Sequence, residues 1–143
     1  MKTVTIINGP NLNLLGTRET NIYGDQSFDN YLHFIRKEFN AIEIFYYQSN
    51  IEGELVDKIQ EASNHSEGII INPGGYAHTS VAIRDAISAV NCPVVEVHIS
   101  NLYKREEFRQ QCITAGVCEG IISGFGLRGY QSALEYLLSR QFQ

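Results

Sequence analysis

Five short apolar runs rich in β-branched residues alternate with longer stretches of helical period, and this alternation constrains the chain more than any other feature. The runs lie near residues 3–8, 42–48, 68–72, 93–99 and 119–123. Between them Phe28, Tyr31, Leu32, Ile35 and Phe39 recur at helical spacing, as do Leu55, Val56, Ile59 and Ala62, and then Val81, Ala82, Ala86 and Val90. A last stripe is formed by Leu127, Tyr130, Leu134, Leu137 and Leu138, while Ser27 and either Thr79 or Ser80 suit the caps of the first and third helices. Strands that alternate with helices predict an α/β fold, a parallel sheet covered on both faces. Right-handed crossovers then favour the strand order 2-1-3-4-5, the flavodoxin-like three-layer arrangement.

The chain has 143 residues, 43 % of them hydrophobic. This predicts a single domain over residues 1–143 that buries about two-thirds of its unfolded surface. The net charge is -5 and the seven arginines and four lysines are scattered, so no basic stripe suits a nucleic-acid backbone. An anionic substrate would have to be drawn by a local cluster of arginines. Cys92, Cys112 and Cys118 are odd in number and lack the spacing of a disulfide framework or a zinc site, which predicts a reduced, cytoplasmic setting. The apolar run before Asn8 is too short for a signal peptide or a membrane span, so no membrane partner is expected.

In sheets of this kind ligands bind beyond the carboxyl ends of the strands, so the segments after strands one, three and four should converge. They are residues 8–23, 72–78 and 96–101. The first is unusually long for a connection in an α/β unit, and such loops are commonly lids or binding loops, here residues 16–25. It holds Arg18 and Tyr23. A free phenol ionises near pH 10, and an adjacent guanidinium is one of the few means of making it a usable base. After strand three, Asn72, Pro73, Gly74 and Gly75 allow a tight turn and close approach to a ligand, with His78 as either a cap or a substrate contact.

Glu96 and His98 lie two apart on the fourth strand and therefore share a face near its carboxyl end. A carboxylate beside an imidazole fixes its tautomer and stabilises its protonated form, as a general acid requires, although a structural pair in a polar core has the same spacing. Ser100 and Asn101 add donors at the strand tip. Arg105 and Arg109 stand four apart and would share a face if that segment is helical, either on a carboxylate or in solvent with Glu106 and Glu107. Asp85, next to Arg84 on the third helix, faces either a ligand or a neighbouring subunit. The glycines at 124, 126 and 129 match a dinucleotide pattern, but too little chain follows them for the next strand and its ribose-binding acid. Asn72 occupies the strand-three position where a phosphoryl-accepting receiver domain needs an aspartate. A flavin mononucleotide-binding protein of the same fold is the alternative reading, weakened by a first loop, residues 8–13, without the hydroxyl-rich phosphate cradle.

Taken together, these segments resemble the type II 3-dehydroquinate dehydratases from Ile6 to Tyr130. The resemblance rests on Asn8-Gly9-Pro10-Asn11-Leu12-Asn13-Leu14-Leu15-Gly16, Arg18-Glu19 with Tyr23-Gly24, and Asn72-Pro73-Gly74-Gly75 through His78-Thr79-Ser80. It continues through Glu96-Val97-His98-Ile99-Ser100-Asn101, Arg105-Glu106 and Phe108-Arg109. It implies a lyase of the shikimate pathway that dehydrates 3-dehydroquinate to 3-dehydroshikimate by anti elimination through an enolate, with no metal or organic cofactor. It further implies Tyr23 as the base, Arg18 holding it ionised, His98 as the acid supported by Glu96, and Asn11 near the enolate oxygen. Asn72, Gly74, His78, Ile99, Ser100 and Arg109 match substrate-holding positions, Arg105 lies near the tyrosine, and Asp85 reaches the site from an adjacent subunit of a homododecamer built from trimers. Thr20, Ala77 and Cys112 depart from the residues usual in the family, which are proline, threonine and serine. An imine mechanism is not expected, because Lys2, Lys37, Lys58 and Lys104 all lie outside the strand-tip segments.

Overall fold

A computed structural model of the chain describes residues 1–17 and 19–140. Strands β1 (Thr3–Asn8), β2 (Glu43–Gln48), β3 (Gly68–Asn72), β4 (Val94–His98) and β5 (Gly120–Ser123) form one sheet in the order β2-β1-β3-β4-β5, with every pairing parallel. The fold is flavodoxin-like, as the sequence predicted, and each strand lies within a residue or so of its expected position.

The helices are α1 (Thr20–Tyr23), α2 (Phe28–Glu38), α3 (Glu52–Ala62), α4 (Val81–Ala89) and α5 (Arg128–Ser139). The inner strands are buried almost throughout, and because successive side chains point to opposite faces, each face of the sheet receives its own core. Val4, Ile6, Ile70, Val95 and Val97 pack with Phe28, Tyr31, Ile35, Tyr130, Leu134 and Leu137 of α2 and α5. Ile7, Ile69, Ile71 and Val94 pack with Leu55 and Ile59 of α3 and Ile83 and Ile87 of α4 on the other face. Ser27 Oγ accepts from the Asn30 amide at 3.2 Å, and Ser80 Oγ accepts from the Ile83 amide at 2.9 Å. Ser80, rather than Thr79, is therefore the cap of α4, and each such cap contributes about 1 kcal/mol.

Two expectations change. The segment after β4 is not a helix but two short 3-10 turns, Leu102–Lys104 and Glu107–Gln110, with Arg105 in extended backbone between them. The loop after β1 contains a 3-10 turn, Leu12–Leu14, and then the short helix α1, which carries Tyr23 at its end.

Candidate active site

Asn8 and Asn72 end the paired central strands β1 and β3, and both side chains are buried. A buried amide needs partners, and Tyr130 of α5 supplies one to each. Its hydroxyl donates to Asn8 Oδ1 at 2.7 Å and accepts from Asn72 Nδ2 at 3.0 Å. Burial pushes the Tyr130 phenol well above its ordinary pKa, with the Asn72 hydrogen bond acting the other way. Asn72 Oδ1 also accepts from the Gly74 amide at 3.1 Å, which fixes the turn after β3. Beside it the Gly9 amide donates to Asn72 O at 2.8 Å. A Cβ at Gly9 would stand 2.6 Å from Pro73 O, so only glycine lets the loops after β1 and β3 approach this closely.

His98 ends β4 and presents its ring to the cleft while remaining 5 % exposed. Its Nε2 lies 2.7 Å from Glu96 Oε2. A carboxylate only accepts, so Nε2 carries a proton and the ring orientation is set from behind. Glu96 is fully buried, and its other oxygen accepts from Thr114 Oγ1 at 2.5 Å. Thr114, in the segment that leads to β5, is thus a site-building residue that strand periodicity gave no means of finding. The Cys112 and Cys118 thiols flank the same carboxylate, and burial together with its negative charge pushes each up to about 12.

The covering side comes from the long loop. A Cβ on Gly16, which has φ +90, would stand 3.1 Å from Asp25 O and 3.1 Å from Ser27 N, so the two ends of the loop touch at its neck. Between them, residues 19–22 are exposed and Tyr23 is half-buried. The Tyr23 hydroxyl accepts from Arg105 Nη1 at 2.8 Å, and the same guanidinium nitrogen reaches Ser100 Oγ at 3.3 Å. Glu106 draws both arginines together, 3.8 Å from Arg105 Nε and 3.1 Å from Arg109 Nε. Arg105 and Arg109 therefore meet in the cleft without the shared helix face that their spacing suggested.

These elements enclose a cleft of about 290 Å³. Asn11, Tyr23, Asn72, Gly74, His78, His98, Ile99, Ser100, Arg105 and Arg109 all line it. Glu96 stands behind His98 rather than in the cleft, and Asp85 lies exposed on α4, away from it. Arg18 lies outside the described residues. His78 Nδ1 donates to the Gln111 carbonyl at 2.8 Å, and burial lowers the pKa of this imidazole, with that hydrogen bond opposing the shift. A broader depression of about 610 Å³ lies beyond Tyr23, between α1, Phe34 and residues 126–131, and holds no imidazole. Tyr23, His78 and His98 converge in the smaller cleft.

Fold and cleft together define a flavodoxin-like protein whose strand tips carry a cleft lined by a phenol, two imidazoles and two guanidiniums. The chain belongs to the class II dehydroquinase family, whose model matches residues 2–138. It is 54 % identical over 137 residues to the 3-dehydroquinate dehydratase of Aliarcobacter butzleri strain RM4018, covering 94 % of this chain and 84 % of that protein. It is 53 % identical to the 3-dehydroquinate dehydratase of Caldicellulosiruptor saccharolyticus, covering 94 % of each chain. Among solved structures, the type II dehydroquinase of Butyrivibrio crossotus DSM 2876 superposes with a TM-score of 0.91 at 50 % identity, covering 96 % of this chain and 98 % of the other. Nothing in these relationships supports the flavin-binding alternative.

Proposed function

We propose that the chain is a hydro-lyase that converts 3-dehydroquinate to 3-dehydroshikimate and water. The observation that carries this reading is one cleft lined by two unlike proton carriers: a phenol hydrogen-bonded to a guanidinium, and an imidazole backed by a buried carboxylate. An elimination needs both. Tyr23, as phenolate, takes a proton from carbon beside the ketone, and the electron pair moves into an enolate. Arg105 stabilises negative charge on the phenol oxygen that it contacts, with Arg18 of the loop that carries Tyr23 as a second cation. His98 then protonates the departing hydroxyl as the carbon–oxygen bond breaks, and Glu96 with Thr114 holds the ring in the required tautomer. The water that leaves carries the proton given by His98, and exchange with solvent then removes the proton gained by Tyr23 and restores that of His98, so one molecule of water is lost overall.

Asn11 meets the enolate oxygen, while Asn72, Gly74, His78, Ile99, Ser100 and Arg109 hold the carboxylate and hydroxyls, a reading supported by their shared lining of the cleft. Residues 16–25 act as the lid, a role supported by their pinched neck and exposed crown. A lid that excludes water strengthens the charge pairing on which the phenolate depends. Bringing a phenol from its ordinary pKa to neutrality takes roughly 4 kcal/mol of preferential stabilisation of its charged form, which a water-filled cleft would not supply.

The reaction serves aromatic amino acid biosynthesis in the cytoplasm, and the chain forms trimers assembled into a dodecamer, with the exposed Asp85 completing a neighbour's cleft. No described helix is long and apolar enough to cross a membrane, and the three cysteines are unpaired, which accords with that setting. Purified protein mixed with 3-dehydroquinate should develop enone ultraviolet absorbance, and borohydride added during turnover should leave it active. Absorbance that never rises would refute the reading.

A further inference from the structure

Cys112 stands beside the proposed acid, yet the elimination gives it nothing to do. Its Sγ lies 3.9 Å from His98 Nε2. One ligand atom from each of Glu96, His98 and Cys112 can be chosen so that all lie within 4.8 Å of one another. Zinc holds thiolate sulfur at about 2.3 Å, imidazole nitrogen at about 2.0 to 2.1 Å and carboxylate oxygen at about 2.0 to 2.2 Å, so its ligand atoms stand roughly 3 to 4 Å apart. Cys112 Sγ and His98 Nε2 are already spaced on that scale. The 2.7 Å contact between His98 and Glu96 must open for an ion to enter.

The donor set also selects the ion. Thiolate with imidazole favours zinc over magnesium or calcium, which take oxygen ligands. His78 Nδ1, although 3.9 Å from the same sulfur, is committed to the Gln111 carbonyl and stays outside the set. Three protein ligands therefore leave a fourth position for water. Glu96 and His98 are buried, so a bound cation would be shielded from solvent by residues already in place.

We propose that Glu96, His98 and Cys112 form an inhibitory site for Zn²⁺. Binding releases the Cys112 thiol proton and displaces the proton on His98 Nε2, and no electron is transferred. The ion takes the nitrogen through which Glu96 orients the ring, so the loaded ring can no longer become the imidazolium that gives a proton to the departing hydroxyl. The inhibitory consequence rests on the role given to His98, whereas metal binding does not.

Co²⁺ added to the purified full-length chain should produce thiolate-to-cobalt absorption in the near ultraviolet, saturating at one ion per chain and displaced by Zn²⁺. Competition with a chromophoric chelator should show Zn²⁺ affinity falling by at least about tenfold in Cys112→Ser, because a hydroxyl is a poor replacement for thiolate. Inhibition of each protein, measured against its own metal-free rate, should shift by the same factor. Absence of the cobalt band from the unsubstituted protein, or its persistence in Cys112→Ser, would overturn the site. Cobalt bound through Cys112 with turnover undiminished would uphold the site and overturn both the inhibition and the acid role of His98.

Discussion

His98 stands on a floor of core residues, whereas Tyr23 hangs over the same cleft from a segment in which residues 19–22 are all exposed. The imidazole is fixed through Glu96 and Thr114, both fully buried. The phenol is held by a guanidinium that itself comes from a loop between two short turns. Glu19, at the start of α1, has φ 45, a left-handed backbone that costs a non-glycine residue about 1 kcal/mol and persists only where its surroundings enforce it. Under the proposed roles, the contrast separates two requirements of acid–base chemistry: one group is fixed by the fold, and the other sits on a covering segment that would also have to admit substrate.

Substitutions can test that division. Tyr23→Phe should lower kcat by about 1,000-fold or more, within the upper range for loss of a general base, with KM little changed. Its thermal stability should stay within about 0.5 kcal/mol of the unsubstituted protein, because the lost hydroxyl lies outside the core. Near-normal turnover would remove Tyr23 as the base. On the other wall, Glu96→Gln should cost about 100-fold in kcat, since an amide can still accept from His98 but no longer stabilises an imidazolium. A kcat unchanged in steady-state assays would make the pair merely structural.

A smaller effect on rate, but a larger one on folding, is expected from Tyr130→Phe. It strands Asn8 Oδ1 and weakens the tie on Asn72 Nδ2, and a buried polar group left without a partner costs about 1 to 3 kcal/mol. Urea denaturation should show the midpoint shift, and a midpoint identical to the parent would mean that the amides find other partners. The smallest change concerns His78. Its pKa is lowered in the folded chain, so between that value and the ordinary histidine value of about 6.5 the unfolded chain binds more protons. Stability contributed by neutral His78 is therefore present above about pH 6.5 and declines as pH falls toward the folded pKa. His78→Gln should flatten the acid side of a stability-versus-pH curve, and an unaltered slope would assign that dependence to other groups.

Much of the rear wall was legible in the sequence because it obeys strand periodicity. The two-residue spacing of Glu96 and His98 places both on one face of β4, and topology alone brings the tips of β1, β3 and β4 together. Asn72, Gly74, His78 and Ser100 follow from that rule. What escaped it was cross-chain chemistry. Thr114 reaches Glu96 from a segment with no periodic signal, and Tyr130 reads as one more apolar residue on a helical stripe although its hydroxyl joins two strands. Cys112 stood out only as a departure from a family pattern, and its closeness to His98 depends on how the turns after β4 fold. Helical spacing also misled at Arg105 and Arg109, which converge through Glu106 and the cleft rather than along a helix.

Tyr130 spans 122 positions of chain to reach Asn8 and 58 to reach Asn72. During synthesis, then, Asn8 Oδ1 at the tip of the first strand waits for the last described helix before it meets its partner. A growing polypeptide can assemble β1 to β4 and still lack the brace behind the proposed site, so competence should arrive late and abruptly when α5 leaves the ribosome and docks. Ribosome-bound chains stopped before residue 128 should consequently be silent, and extension through α5 should switch them on.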